Sequence, residues 1–265
     1  MPDFPLTDEN RMIQQLVRRF VKEELMPLER ELLGGPLGAR GAFGEDGALA
    51  PEKYRELIEK LRAIGLWGID LPEEYGGNPI SEMSKALLYE ELAKTIVPLG
   101  IPPDAPNFHM LRELTEGNEY QENEYFWPYV RGEKTSCFIL TEPNAGSDAQ
   151  QIETSAVRDG DNWVINGTKV FISNADRADF GILMAVTDRE KRARGGFTSF
   201  LVDLQDRTPG VKLARPIYTI AGGYVWEVVF DNVVLPDRQR LGPVGGGFAP
   251  MQRRLGVRRL QIGSR

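Results

Sequence analysis

The hydrophobic pattern of this chain changes period near Glu133, and that change limits the fold more than any other feature. Before it, apolar residues recur at spacings of three and four, the period of a helix with one buried face. Ile13, Leu16, Val17, Phe20 and Val21 make the first such stripe, which Thr7 or Asp8 can cap and Pro27 bends or ends. Residues 34–50 are rich in Gly and Ala and read as a loop. A second helix opens at Pro51, carries Tyr54, Leu57, Ile58 and Leu61 on one side, and stops at Gly65. The run Leu71–Gly77 is a turn, Ser81 caps a third helix through Leu92, Pro98–Pro106 breaks the pattern, and one or two more helices fill 107–131. After Glu133 the period drops towards two. Thr135–Leu140 is a short apolar strand. Thr154–Val157, Trp163–Ile165 and Val170–Ile172 follow, separated by Asp159-Gly160 and Asn166-Gly167, which read as the turns of an antiparallel meander. Phe180–Val186, Gly196–Val202 and Tyr224–Phe230 continue it. Beyond Gly245-Gly246-Gly247 the chain turns helical and basic, with arginines at 253, 254, 258, 259 and 265.

The expected fold is therefore α+β. It has an N-terminal all-α domain (1–132), an antiparallel β-barrel or sandwich domain (133–240) and the start of a C-terminal helix (241–265). A helix that ends a chain this way buries little surface alone, so it packs on another chain or belongs to a further domain.

Composition narrows the function classes. The net charge of −7 argues against non-specific nucleic-acid binding. The single cysteine, Cys137, excludes an internal disulfide and fits a reducing, cytoplasmic setting. The single histidine, His109, argues against a His-rich metal site, so no metal is expected. Met1–Pro5 does not read as a signal peptide, and no apolar run is long enough to span a bilayer.

One stretch carries most of the chemical information: Phe138-Ile139-Leu140-Thr141-Glu142-Pro143-Asn144-Ala145-Gly146-Ser147-Asp148. A strand enters a small, polar, tightly bent turn with hydroxyls at Thr141 and Ser147 and a glycine between them. Such a turn can bring hydroxyls and backbone N–H groups to a flat cofactor and its phosphates. By itself it is equally an ordinary strand and turn. Likewise Phe171, taken alone, reads as a core aromatic in an alternating strand.

The order of these motifs resembles the acyl-CoA dehydrogenase family. Leu71–Gly77 is followed by Tyr89-Glu90-Glu91-Leu92-Ala93. The stretch Leu140–Asp148 comes next, then Gly160–Lys169, Phe171–Ala175 and Ala178-Asp179, and finally Gly246-Gly247-Phe248 with Arg254-Leu255-Gly256. The resemblance spans essentially the whole chain and implies a flavoprotein of three parts, of which this sequence holds two and the opening of the third. It implies FAD as cofactor and an acyl-CoA as substrate, oxidised to the 2-enoyl-CoA in fatty acid metabolism. An electron-transfer flavoprotein is implied as acceptor, and a homodimer or homotetramer as the assembly. Phe138, Leu140, Thr141, Gly146, Ser147, Phe171, Ile172 and Ser173 become the cofactor residues, and Ser147 and Arg259 the substrate residues. No catalytic residue falls within the chain, since the family's glutamate base lies beyond Arg265.

The family usually has Trp and Thr where this chain has Phe171 and Ser173, which bears on flavin affinity and redox tuning. The other arginines of the last helix read as a solvated face. Arg192 and Arg194 are candidates for CoA phosphates, with a plain surface loop the stronger reading. Cys137 reads as a small buried hydrophobe, and Glu142 and Asp148 as acceptors of backbone hydrogen bonds. The alternatives are an oxidase or monooxygenase of the same architecture, or a non-catalytic subunit that completes a partner's interface.

Overall fold

The computed structural model describes residues 5–34, 49–97, 99–100, 102–103, 105–204, 208–219 and 224–263. Most of the loop expected at 34–50 therefore lies outside the described residues, as do parts of the proline-rich break. The chain forms two compact units, the first taking in the helices up to Ala105 and the residues from Arg258 on, the second spanning Pro106–Thr219 and Tyr224–Val257.

In the first unit, α1 (Asp8–Phe20) starts in a capping box. Thr7 Oγ1 accepts from the Asn10 amide at 3.2 Å and Asn10 Oδ1 accepts from the Thr7 amide at 3.1 Å. The helix does not end at Pro27. It widens into a π-turn over Val21–Leu25 and continues as α2 (Met26–Gly34). Pro27, which has no N–H to give the helical ladder, sits just past that π-turn. The remaining helices are α3 (Pro51–Ala63) and α4 (Glu82–Leu92), the latter capped by Ser81 as its sequence indicates. Val17, Leu25, Leu57, Leu61 and Leu88 form the buried centre. Buried Glu91 on α4 accepts a two-point bond from Arg18 and pairs with Lys94 at 2.8 Å, so its charge is compensated.

The second unit opens with α5 (Ala105–Thr115), α6 (Glu119–Gln121), a second π-turn over Glu122–Phe126, and α7 (Trp127–Arg131). The strands are β1 (Ser136–Ile139), β2 (Ser155–Asp159), β3 (Asn162–Ser173), β4 (Phe180–Val186), β5 (Phe197–Asp203), β6 (Val211–Tyr218), β7 (Tyr224–Pro236) and β8 (Arg240–Leu241), followed by α8 (Phe248–Gly263). They form one eight-stranded sheet in the order β6-β7-β3-β2-β4-β5-β8, with β1 joined to β4. Most pairs are antiparallel, but β1 runs parallel to β4, with Ser136 opposite Phe180. Every residue of β4 is buried, which suits a strand covered on both faces. The architecture is α+β, as expected.

Asn166-Gly167 corrects one expectation. It is not a hairpin turn, because β3 passes straight through it. The register against β7 shifts there instead, between Ile165 and Gly167. Gly167 has φ 155°, and a Cβ on it would meet the Thr154 Cα at 2.7 Å. The glycine serves a close backbone approach, which a sequence motif alone does not distinguish from a turn. Among the described residues no helix is long and apolar enough to cross a membrane.

Candidate functional site

The end of β1 and the far end of β3 lie side by side. The Val170 amide donates to the Thr141 carbonyl at 2.8 Å. One residue on, β3 bulges: Lys169 pairs with Val228, but the next pair is Ile172 with Trp226. The extra residue is accommodated at Phe171, which has φ 59° and is 59% exposed. A bulky L residue in the left-handed region is an outlier that costs free energy, and an aromatic left open to water recovers little of it. Phe171 is thus not the core aromatic that simple alternation indicates. The bulge aims it outward.

The other sequence candidates divide by exposure. Ser173, Gly146 and Ser147 are exposed and Thr141 is half-buried. Leu140 and Ile172 are buried, Ile172 within the main core cluster, so only their main chains can face a ligand. A Cβ on Gly146 would meet nothing within 4 Å, so the fold itself does not demand glycine there. Bare backbone at an exposed turn suits the close approach of something from outside. The Phe138 ring carries the Arg254 guanidinium 3.7 Å from its centroid. Arg254 also donates to Asn107 Oδ1 at 2.7 Å, and Asn107 donates to Ser136 Oγ at 2.8 Å. Arg254 therefore does not belong to a solvated face; it packs α8 onto β1. Arg259 is exposed on α8 and falls outside the second unit.

Beneath the turn lies an ion pair to which sequence reasoning gave no role. Lys169, fully buried, donates to Glu142 Oε1 at 2.8 Å and to the Leu140 carbonyl at 2.9 Å. Glu142 also accepts from the Glu153 amide at 2.6 Å and the Thr154 amide at 2.9 Å. Burial alone pushes the Glu142 carboxyl up, yet the Lys169 charge and these donors outweigh it and hold it below the usual carboxylate range. Burial lowers the Lys169 ammonium to about 8 against the pull of Glu142. A lysine interrupting an apolar strand is the one signal the sequence offers; its partner Glu142 is distant in sequence. Asp148 accepts from the Gln150 amide at 3.1 Å, so both turn acids bind backbone.

Arg192 donates to Gln151 Oε1 at 2.9 Å and to the Gln150 carbonyl at 3.3 Å, bringing the basic loop against the turn that follows Ser147. Buried Cys137 has its thiol pushed up to about 12 by desolvation. His109 is exposed, with its ring edge-on to Phe108. A groove of about 510 Å³ runs between α5 and α8, lined in part by Met110, Arg112, Arg253, Arg254 and Val257. An exposed aromatic, adjacent hydroxyls and a bare, polar turn together can hold a planar ligand bearing an anionic group.

Comparison with known proteins gives these features a family. The profile of the acyl-CoA dehydrogenase N-terminal domain matches residues 7–133 and that of the middle domain residues 137–233. The chain is 39% identical to (R)-benzylsuccinyl-CoA dehydrogenase of Thauera aromatica over 98% of its own length and 64% of the relative's. It is 32% identical to the caffeyl-CoA reductase-Etf complex subunit CarC of Acetobacterium woodii, over 97% of this chain and 64% of that one. A solved structure described as a putative acyl-CoA dehydrogenase from Mycobacterium abscessus superposes with a TM-score of 0.81 at 29% identity, over 98% of this chain and 67% of that one. The chain thus spans just under two thirds of the curated relatives' length. On the two domain profiles and these full-span likenesses, the chain belongs to the acyl-CoA dehydrogenase family.

Proposed function

We propose that the protein carrying this chain is an FAD-dependent acyl-CoA dehydrogenase, converting an acyl-CoA thioester to its 2-enoyl thioester. Bound FAD supplies a two-electron acceptor for the hydride leaving the β-carbon. The chain's own residues bind and orient. Phe171 covers one face of the flavin ring, and Thr141 and Ser173 offer hydroxyls at its edge. The main chain at Leu140 and Ile172 lines the seat. Gly146 and Ser147 present backbone N–H groups and a hydroxyl to the diphosphate or the substrate, and Arg259 serves the substrate side. The α-proton needs a positioned base within hydrogen-bond reach. We assign that base to sequence following Arg265, within the third of the relatives' length that this chain does not span. The division into a helical part (1–132), a flavin-binding part (133–240) and the opening of a C-terminal helical part (241–265) belongs to the same reading.

The observation that carries the proposal is the strained, water-exposed Phe171 one residue from the Val170–Thr141 hydrogen bond. The likeness to CarC, named as a subunit of a complex with Etf, supports an electron-transfer flavoprotein as acceptor. The likeness to benzylsuccinyl-CoA dehydrogenase makes aryl-substituted acyl-CoA thioesters the first substrates to assay. The test is the intact mass and visible spectrum of the purified protein, followed by anaerobic addition of acyl-CoA. The expected result is a yellow protein whose colour bleaches with substrate. A colourless protein that takes up no added FAD refutes the reading. Rapid oxygen consumption after bleaching would replace the dehydrogenase with an oxidase.

A further inference from the structure

The Lys169–Glu142 pair stands where the two proposed flavin segments meet, and it lies outside the roles assigned to flavin and substrate contact. An ammonium and a carboxylate taken out of water are expensive, and apolar residues of similar size generally fill such a space at least as well. What apolar residues do not do is fix a distance. The Lys169 ammonium reaches across to the Leu140 carbonyl and to Glu142, on either side of Thr141. Its backbone forms the last regular β3–β7 pair before the bulge. Glu142 in turn holds the amides of Glu153 and Thr154, so the turn is anchored at its far end too. The residues on both sides of the seat, Thr141 just past β1 and Phe171 on β3, are thus tied to one buried nitrogen.

We propose that Lys169 is a positioning residue for the flavin: its buried ammonium locks the end of β1 against β3 at the bulge and so sets the spacing between Thr141 and the Phe171 ring. This rests on the flavin reading above. A merely structural pair would stabilise the sheet and leave ligand affinity unchanged whenever the sheet is folded. A positioning residue governs affinity in a folded protein.

The experiment uses the full chain, stripped of flavin, in four forms: wild type, Lys169→Met, Glu142→Gln and the double variant Lys169→Met/Glu142→Gln. The thermal melt of each is recorded, then FAD is titrated and its affinity and visible band shape are read. Lys169→Met leaves a carboxylate buried alone and is expected to melt lower. The double variant buries no lone charge, but it leaves the Leu140 carbonyl and one of the two amides held by Glu142 without a partner, and is expected to stay folded and melt between Lys169→Met and the wild type. It is nevertheless expected to bind FAD about tenfold more weakly, the lower range of losses seen when a group that orients a ligating residue is removed, and with an altered flavin band. A double variant that is folded and binds FAD with wild-type affinity and band shape overturns the proposal. One that fails to fold also overturns it, because the pair then holds the whole sheet rather than the seat. A wild-type protein that binds no FAD fails the underlying flavin reading, a result distinct from both.

Discussion

Phe171 offers a direct measure of how much conformational strain the site stores. Its φ of 59° places an L residue in the left-handed region, at a cost of about 1–2 kcal/mol. The residue is 59% exposed, leaving about two fifths of it buried. Full burial of a phenylalanine side chain contributes about 1.5–3 kcal/mol, so its share here is about 1 kcal/mol. Phe171→Ala removes that contact and keeps the strain, and is expected to lose about 1 kcal/mol. Phe171→Gly removes the contact and the strain together, offset by about 0.5–1 kcal/mol for the greater freedom of unfolded glycine. The glycine variant should therefore match the alanine variant or exceed it by up to about 1.5 kcal/mol, whereas in an ordinary strand interior it is the less stable of the two. Urea unfolding of the flavin-free protein, followed by tryptophan fluorescence, measures this difference directly. An alanine variant more stable than the glycine variant would refute the strain argument. In the same proteins, loss of the ring should weaken FAD binding roughly threefold to tenfold, in line with the ~0.5–1.5 kcal/mol that aromatic pairing adds beyond area.

Four further outcomes follow from the geometry. Gly146→Ala should leave the unfolding free energy within about 0.5 kcal/mol of wild type, since its Cβ enters open space, yet lower FAD affinity; Gly181→Ala, whose Cβ would strike the Ile139 side chain, should cost about 1–3 kcal/mol by the same unfolding assay. Asp237 accepts from both Arg240 and Trp163, which depress its carboxyl to about 2. Because the folded value is the lower one, its stabilisation is complete above about pH 4, the ordinary aspartate value, and drains away as pH falls towards 2. An acid-unfolding series should show that slope in the wild type and a shallower one in Asp237→Asn. Cys137, buried with its thiol raised to about 12, should resist an aromatic disulfide reagent at neutral pH and react stoichiometrically once the protein is unfolded; prompt reaction of the folded protein would contradict its burial.

The α+β class and most element positions were readable because they follow from period. Helix spacing before Glu133, alternation after it, and the caps at Thr7 and Ser81 are local signals, and the structure uses them as read. The bulges were not readable. Asn166-Gly167 has the composition of a tight turn, and only the approach of Thr154 from a neighbouring strand tells it from one. β6 is largely open to water, so burial leaves little pattern in its sequence. The parallel pairing of β1 with β4 depends on residues more than forty positions apart. Thr141 and Phe171 enter the proposed site by motif; Arg254 and Lys169 also stand in motif runs, but the sequence says nothing of their contacts. Each gains its role from a partner distant in sequence, Phe138 for one and Glu142 for the other.

The two irregularities between β3 and β7 have opposite sign. Near Asn232, with φ 50°, the surplus residue lies on β7; near Phe171 it lies on β3. The pair Asn162 with Pro236 and the pair Ile172 with Trp226 consequently share one frame, and only the stretch Gly167–Lys169 between them is slid by one step. A kink built this way is self-contained. The ring it presents can be exchanged for another without re-pairing either end of the ladder, whereas deleting a single residue inside the slid stretch would throw one whole arm of the strand inside out.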